Sequence, residues 1–451
     1  MTQHWVLDEI IDPFGAKVVV ERAPDGAVRE ARFDLAGLPR IDPLLTGHRV
    51  AEVPSLVERL CGVCPAAHHL AGIRALESLA GGVELPAAAV VSRRLLHHAS
   101  AIATHAVRAV ATDRDDALAL RRFAKAVMSA VGSPGHFPAT AVPGGVAVPV
   151  EAEARDRCLG LQPAALAAAT RIAERTLPLP GPADDFTGAD VALVDEEGRP
   201  DLLGTRLRAV AADGRVIVPA AAPRHWDSLI AESVPGDPAP RPYLLALGAD
   251  HGRYRVGPVA QLRIGALTTP RAAELRADWS GRAGQAAAAR AVITVHSVEV
   301  IGDLLDHPAI LDRRILAEVP ARRGPAVGVG WVDGPRGLLV HRYRAAADGR
   351  MEAATVLTPT AQNEYWLAQL LRRAVAAGPD GPGRAEGDLE DAIREADPCL
   401  PCSSAPAGAM GLVVEETPPR APGGLSSHAS GGLAPVTGAC SSPNSDIPGG
   451  L

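Results

Sequence analysis

Arg59-Leu-Cys61-Gly-Val-Cys64-Pro65-Ala-Ala-His68 near the start of the chain and Asp397-Pro-Cys399-Leu-Pro-Cys402 near its end hold four of the six cysteines among 451 residues. Cys399 follows Cys64 by 335 positions, so the two pairs meet only in a fold that brings both ends of the chain to one place. Four sulfurs gathered in this way point to a metal. A tetrahedral zinc site is one reading of two Cys-x-x-Cys pairs, although zinc ribbons keep their pairs much closer in sequence. Thiolates also suit nickel and iron, and four of them hold a dinuclear centre when some bridge. A thioredoxin-like redox motif needs one pair on a strand-to-helix turn, not two matched pairs. Cys158, on an expected helix, and Cys440, near the end, read as incidental.

The rest of the composition narrows the class. A chain of 46.6 kDa with 47% apolar residues can bury a large core. A net charge of −7 gives no sign of a nucleic-acid partner. Lys17 and Lys125 are the only lysines, a bias that fits a GC-rich genome better than a function. The first residues lack a basic region followed by an apolar run, and no apolar stretch reaches the ~18 residues of a membrane span. Few, clustered cysteines without a secretion signal favour metal or redox chemistry over structural disulfides. The expectation is a soluble cytoplasmic protein.

Periodicity places the cysteine pairs on a mostly helical frame. Lys17 to Arg22 and Val28 to Leu35 read as strands around the turn Pro24-Asp-Gly26. Helical spacing follows in His68–Leu79, Val90–Thr112, Ala117–Val131 and 151–175, with a Gly/Pro-rich loop from Pro134 to Pro149. Short strands are expected at Val191–Val194, Val216–Val218 and Tyr243–Leu247. Ala272–Leu305 reads as helix with a break near Trp279-Ser-Gly, Val327–Arg344 as a hairpin around Gly334-Pro-Arg-Gly337, and Gln362–Ala376 as helix. The expected architecture is one helix-dominated α+β domain over residues 1–417. The Pro/Gly/Ser-rich stretch 418–451 lacks the apolar content to order itself and is expected to be a flexible tail.

The flanks of the cysteines carry more. Arg59-x-Cys-Gly-x-Cys-Pro-x-x-His68 and Asp397-Pro-Cys-x-x-Cys resemble the two signature motifs of the nickel–iron hydrogenase large subunit. Ser133-Pro-Gly-His-Phe-Pro…Pro-Gly-Gly145, Thr104-His105, the helical stretch with Arg290 and His296, Asp333-Gly-Pro-Arg336-Gly-Leu-Leu-Val-His341 and Pro359-Thr-Ala-Gln-Asn363 are similar to further motifs of that family, in its order. The resemblance implies that family's fold and the reversible heterolytic cleavage of H2. It also implies a nickel–iron centre on Cys61, Cys64, Cys399 and Cys402, with Cys61 and Cys399 terminal on nickel and Cys64 and Cys402 bridging to an iron that carries carbon monoxide and cyanide. Arg336 would reach over that site, Pro359 and Thr360 would line the pocket of the diatomic ligands, and His68 would donate to a bridging sulfur. An arginine in a tight turn is otherwise a surface residue, and His68 otherwise a helix cap. His105, His136, His296 and His341 read as structural. Electrons would leave through an iron–sulfur small subunit. The soluble NAD(P)-linked type is nearest, so diaphorase-type subunits are further partners, as are maturation factors for metal insertion. No Gly-x-Gly-x-x-Gly segment offers a nucleotide site on this chain.

Two departures stand against this pattern. The family's Arg-Ile-Glu-Gly-His strand carries a proton-relay Glu, where this chain reads Ile10-Ile-Asp12-Pro13-Phe-Gly-Ala-Lys17. Either Pro13 or, with one inserted residue, Asp12 falls at that position, and Asp12 is a shorter carboxylate able to relay protons through an added water. The family's Cys-x-x-His ending reads Cys402-Ser-Ser-Ala405, so the histidine that marks tail removal and helps hold a magnesium ion is absent; magnesium is accordingly in question. These losses leave a second reading, a hydrogenase-derived scaffold or sensor that has given up turnover.

Overall fold

A computed structural model describes residues 16–25, 27–33, 42–179, 186–231, 241–279, 286–321, 324–376, 382–399, 408 and 410–417. Its main helices, numbered in chain order with short turns left unlabelled, are α1 (Pro65–Leu79), α2 (Ala87–Ala109), α3 (Arg114–Ala130), α4 (Ala152–Thr176), α5 (Ala286–Leu305), α6 (Glu364–Ala376) and α7 (Pro382–Ala396). The strands are β1 (Ala16–Arg22), β2 (Val28–Phe33), β3 (Ala189–Val194), β4 (Arg206–Val210), β5 (Val216–Ala221), β6 (Tyr254–Arg255), β7 (Ala326–Gly334), β8 (Gly337–Ala345), β9 (Met351–Leu357) and β10 (Leu412–Thr417). The α+β, helix-dominated expectation holds.

Helix α5 explains the centre. Its sequence Ala-Ala-Ala-Ala-Arg-Ala-Val-Ile-Thr-Val-His is apolar on nearly every side, the mark of a helix with neighbours all round. It packs on α2 and α4, while α3 closes against α2 and α4. Around this bundle lie three small sheets, ordered β10-β1-β2, β6-β3-β4-β5 and β7-β8-β9. Helix α1 lies across β7. That contact is possible because Gly328 and Gly330 present no side chain; a Cβ at Gly330 would stand 2.1 Å from the Ala71 carbonyl oxygen.

Most expected elements recur within a few residues of their anticipated ends. The expected strand Tyr243–Leu247 does not: only Tyr243–Leu244 pairs, with Ile230–Ala231, and the chain coils at Leu245–Leu247 before Gly248, whose φ of 72° turns it away. Strand β9, helix α7 and strand β10 carry no signal strong enough to anticipate. β10 runs parallel to β1 with Lys17 opposite Val413, so residues just beyond the second cysteine pair join the sheet built by the first residues of the chain. The tail 418–451 lies outside the described residues. Among the described residues no helix is long and apolar enough to cross a membrane.

Candidate metal centre

Cys61 stands in extended conformation after a short 3-10 turn, and Cys64 is the residue before α1. Pro65 occupies the first helical position, where its missing N–H costs nothing. The Cys64 N–H donates to Cys61 Sγ at 3.2 Å, and the two sulfurs lie 2.7 Å apart. Local geometry alone thus aims both thiols the same way. Cys399 enters from the opposite end of the chain, its Sγ 3.3 Å from that of Cys61 and 3.5 Å from that of Cys64. Cys402 lies outside the described residues.

Three other segments close around these sulfurs. The β7–β8 hairpin turns at Gly334-Pro335-Arg336-Gly337, and Gly337 has φ +125° with room for no Cβ, since one would meet Val256 Cγ2 at 2.6 Å. The turn delivers Arg336, which is buried, not surface-exposed as arginines in turns usually are. Its Nε donates to Asp397 Oδ1 at 3.0 Å and its Nη1 faces Cys399 Sγ at 3.8 Å. His105 props the turn from α2, its Nε2 2.9 Å from the Pro335 carbonyl oxygen and its Nδ1 2.9 Å from Thr294 Oγ1. Pro359 opens a single helical turn behind the cysteines, and Thr360 Oγ1 accepts the Cys399 N–H at 2.6 Å. Thr360 therefore grips the backbone of Cys399 here, a contact the sequence did not foretell. On α1, a His68 ring nitrogen lies within 4.8 Å of the Cys61 and Cys64 sulfurs. Its Nδ1 meets His341 Nε2 at 3.1 Å, and His341 Nδ1 meets the Tyr343 hydroxyl at 2.8 Å.

The electrostatics follow from burial and neighbours. Hydrogen bonds from the Cys399 and Cys64 thiols favour a thiolate at Cys61, and the same sharing raises Cys64 and Cys399. Burial lowers His68 to about 4 despite the pull of Cys399, so its ring is neutral at neutral pH. Burial also opposes ionisation of Asp397, but the guanidiniums of Arg336, Arg108 and Arg290 outweigh it and hold the carboxyl well below the usual range. Asp397 and Cys399 likewise offset the burial of Arg336 and keep it charged.

Asp397 belongs to a motif and Arg290 to a helix that the sequence singled out, but neither had a legible role there, and nothing marked Arg108. All three meet at one carboxylate: Arg108 Nη2 on Oδ1, and Arg290 Nη1 3.7 Å from Oδ2. An acidic residue directly before Pro-Cys was the only clue. His296 bonds Thr269, and exposed His136 rests against Phe137, both away from the sulfurs. Asp12 and Ala405 lie outside the described residues. Cys158 is buried in α4, its thiol pushed up to about 11 by burial.

Soft sulfurs from both chain ends within 3.5 Å of one another, under a buried cation, are a donor set suited to nickel or iron. Known proteins agree with this. The family model for nickel-dependent hydrogenase matches residues 40–109, the stretch holding Cys61, Cys64 and His68. A solved NAD+-reducing [NiFe]-hydrogenase in its H2-reduced state superposes with a TM-score of 0.75 at 27% identity, over 85% of this chain and 95% of that one. The chain belongs to the nickel-dependent hydrogenase family. The beta subunit of the NAD-reducing hydrogenase HoxS of Cupriavidus necator is 27% identical to this hydrogenase chain, over 92% of it and 97% of the relative. A relative from the vhu F420-non-reducing hydrogenase of Methanocaldococcus jannaschii is 28% identical, over 79% of this chain and 95% of its own length.

Proposed function

We propose that this chain is the large subunit of a nickel–iron hydrogenase and that it cleaves H2 reversibly. The observation that carries this reading is the meeting of Cys61, Cys64 and Cys399, from opposite ends of the chain, beneath Arg336. Cys61, Cys64, Cys399 and Cys402 would hold nickel together with an iron bearing carbon monoxide and cyanide, and that centre supplies the heterolytic splitting of H2 when bound. No role is assigned to magnesium, because Ala405 lacks a ligand atom.

The chain's own residues shape the site. Arg336, held charged by Asp397, is a fixed donor over the sulfurs and orients whatever small molecule stands there. Thr360 fixes Cys399 through its N–H, and Pro359 stiffens the wall beside it. Neutral His68 holds its orientation through His341 and so presents its ring steadily to the sulfur side. Asp12 is the carboxylate we assign to proton exit. Electrons leave to an iron–sulfur small subunit, and resemblance to the NAD-reducing relative favours diaphorase-type subunits and a cytoplasmic setting.

Metal analysis and infrared spectroscopy of the purified complex test this directly. The expected result is nickel and iron with bands of metal-bound carbon monoxide and cyanide; neither nickel nor bands would overturn it. The replacement of the relay Glu and the terminal His favours one rival, a sensor or scaffold. That rival would show the bands without hydrogen uptake.

A further inference from the structure

We propose that Arg108 and Arg290 are positioning residues that seat the Cys399 arm by capturing Asp397. The proposal rests on the reading of Cys399 as a metal ligand. Three elements remote in sequence from Asp397 each bring one guanidinium to its carboxylate: the last turn of α2 with Arg108, the start of α5 with Arg290, and the hairpin turn with Arg336. The side chain of Asp397 is 9% exposed, those of Arg336, Arg290 and Arg108 only 4%, 12% and 20%. Among the described residues the cluster holds three cations for one anion.

That imbalance gives the arm its direction. Without Asp397, three guanidiniums would converge in a poorly solvated place and repel one another. The carboxylate relieves that repulsion only when the arm is in place, so the socket draws in the segment that carries it. Asp397 also has φ +49°, the only non-glycine residue among those described in the left-handed region. Side chains avoid that conformation, Asp and Asn least of all, so the ion pairs hold a bend that the backbone resists. Two residues on, the bend delivers the Cys399 N–H to Thr360 and its sulfur to Cys61.

Arg108 and Arg290 act from behind. They border a cavity of about 200 Å³ whose walls include Ala109, Leu120, Ala169 and Ile172, on the bundle side of the carboxylate. Their ion pairs are with Asp397, whereas Arg336 faces both Asp397 and Cys399. Their effect on the sulfurs therefore passes through Asp397. The 3.7 Å separation of Arg290 marks it as the weaker of the two.

The test is the rate at which iodoacetamide modifies Cys399 in the purified complex, read by peptide mass spectrometry with buried Cys158 as internal reference. Arg290→Gln should speed modification of Cys399 about tenfold and Arg108→Gln about a hundredfold, because local opening exposes the thiol in proportion to the lost ion pair. Arg108→Lys, which keeps the charge, should return most of that loss. Infrared bands of the centre should shift in the glutamine variants and return in the lysine one. Unchanged Cys399 rates and bands in both glutamine variants would overturn the proposal, as would an equal rise at Cys158, which signals general loosening. Should Arg108→Gln fail to fold, Arg290→Gln against Arg290→Lys decides. A wild-type complex without nickel but with Cys399 protected would sink the hydrogenase reading and leave the clamp standing.

Discussion

The two ends of the chain supply their sulfurs to one place by opposite means. Cys61 and Cys64 are aimed by four consecutive residues and a proline that starts a helix, and their geometry is largely local. Cys399 is aimed by residues from α2, α5, the β7–β8 turn and Thr360, none of them near it in sequence. The first pair belongs to the scaffold, while the second arrives as an arm that the scaffold captures. A site built in this way can stand open until its metals are in place and then be closed by ion pairs.

The largest effects should come from the sulfurs. Cys61→Ser and Cys399→Ser are each expected to abolish nickel retention, measured as metal per chain, because a hard hydroxyl does not replace a soft thiolate. The two should differ in fold: Cys61→Ser disturbs the start of α1, whereas Cys399→Ser leaves the scaffold's thermal midpoint nearly unchanged.

Next comes the cation over the site. Arg336→Gln removes a preorganised donor and should lower hydrogen turnover about 10²- to 10³-fold, with Arg336→Lys recovering only part, since a point charge cannot span Asp397 and Cys399 as the fork does.

On the scaffold side, Arg93 donates to both carboxylate oxygens of Glu77 at 3.0 and 2.7 Å and to the Gly145 carbonyl oxygen at 2.8 Å, while the Gly144 N–H donates to Glu77. Arg93→Met strands a buried carboxylate and should cost about 3–5 kcal/mol in chemical denaturation. Cys399 modification should rise no more than Cys158 modification, which separates scaffold from arm.

Acid should sharpen the same contrast. Burial holds His97, His105 and His296 at about 4 and His98 lower still. The unfolded chain titrates its imidazoles near 6.5, so between pH 6.5 and about 4 it binds protons that the folded chain refuses. Stability should be full above 6.5 and fall as the pH drops through that window, by at most about 1.4 kcal/mol per pH unit for each histidine. Asp333, raised to about 7 by burial, opposes this with a single proton. Asp397, depressed by its arginines, keeps its charge throughout the window, so a denaturation series from pH 7 to 4.5 should weaken the bundle before the arm.

The smallest effect belongs to the β1–β10 edge. Lys17 and Glu415 pair at 2.5 Å with roughly half of each side chain exposed, and Lys17→Ala should change stability by less than about 1 kcal/mol.

The same contrast explains what could be read from the sequence. The Cys61–Cys64 motif, helices α1 to α4 and the β7–β8 hairpin are written locally, in proline at a helix start, in helical spacing and in glycines that close a turn. The capture of Asp397 is not, because Arg108 and Arg290 look like any arginine on an alanine-rich helix until the fold brings them together. Thr360 was expected at a ligand pocket and is found holding the Cys399 backbone, a contact set by tertiary placement alone. β10 was missed because its exposed valines and acidic residues match no buried face; it exists by pairing with β1.

Metal content of the purified complex, measured beside that of Cys399→Ser, tests the central claim most directly. The account expects about one nickel per wild-type chain and none in the variant. Nickel absent from the wild type, or retained when Cys399 is replaced, would contradict it.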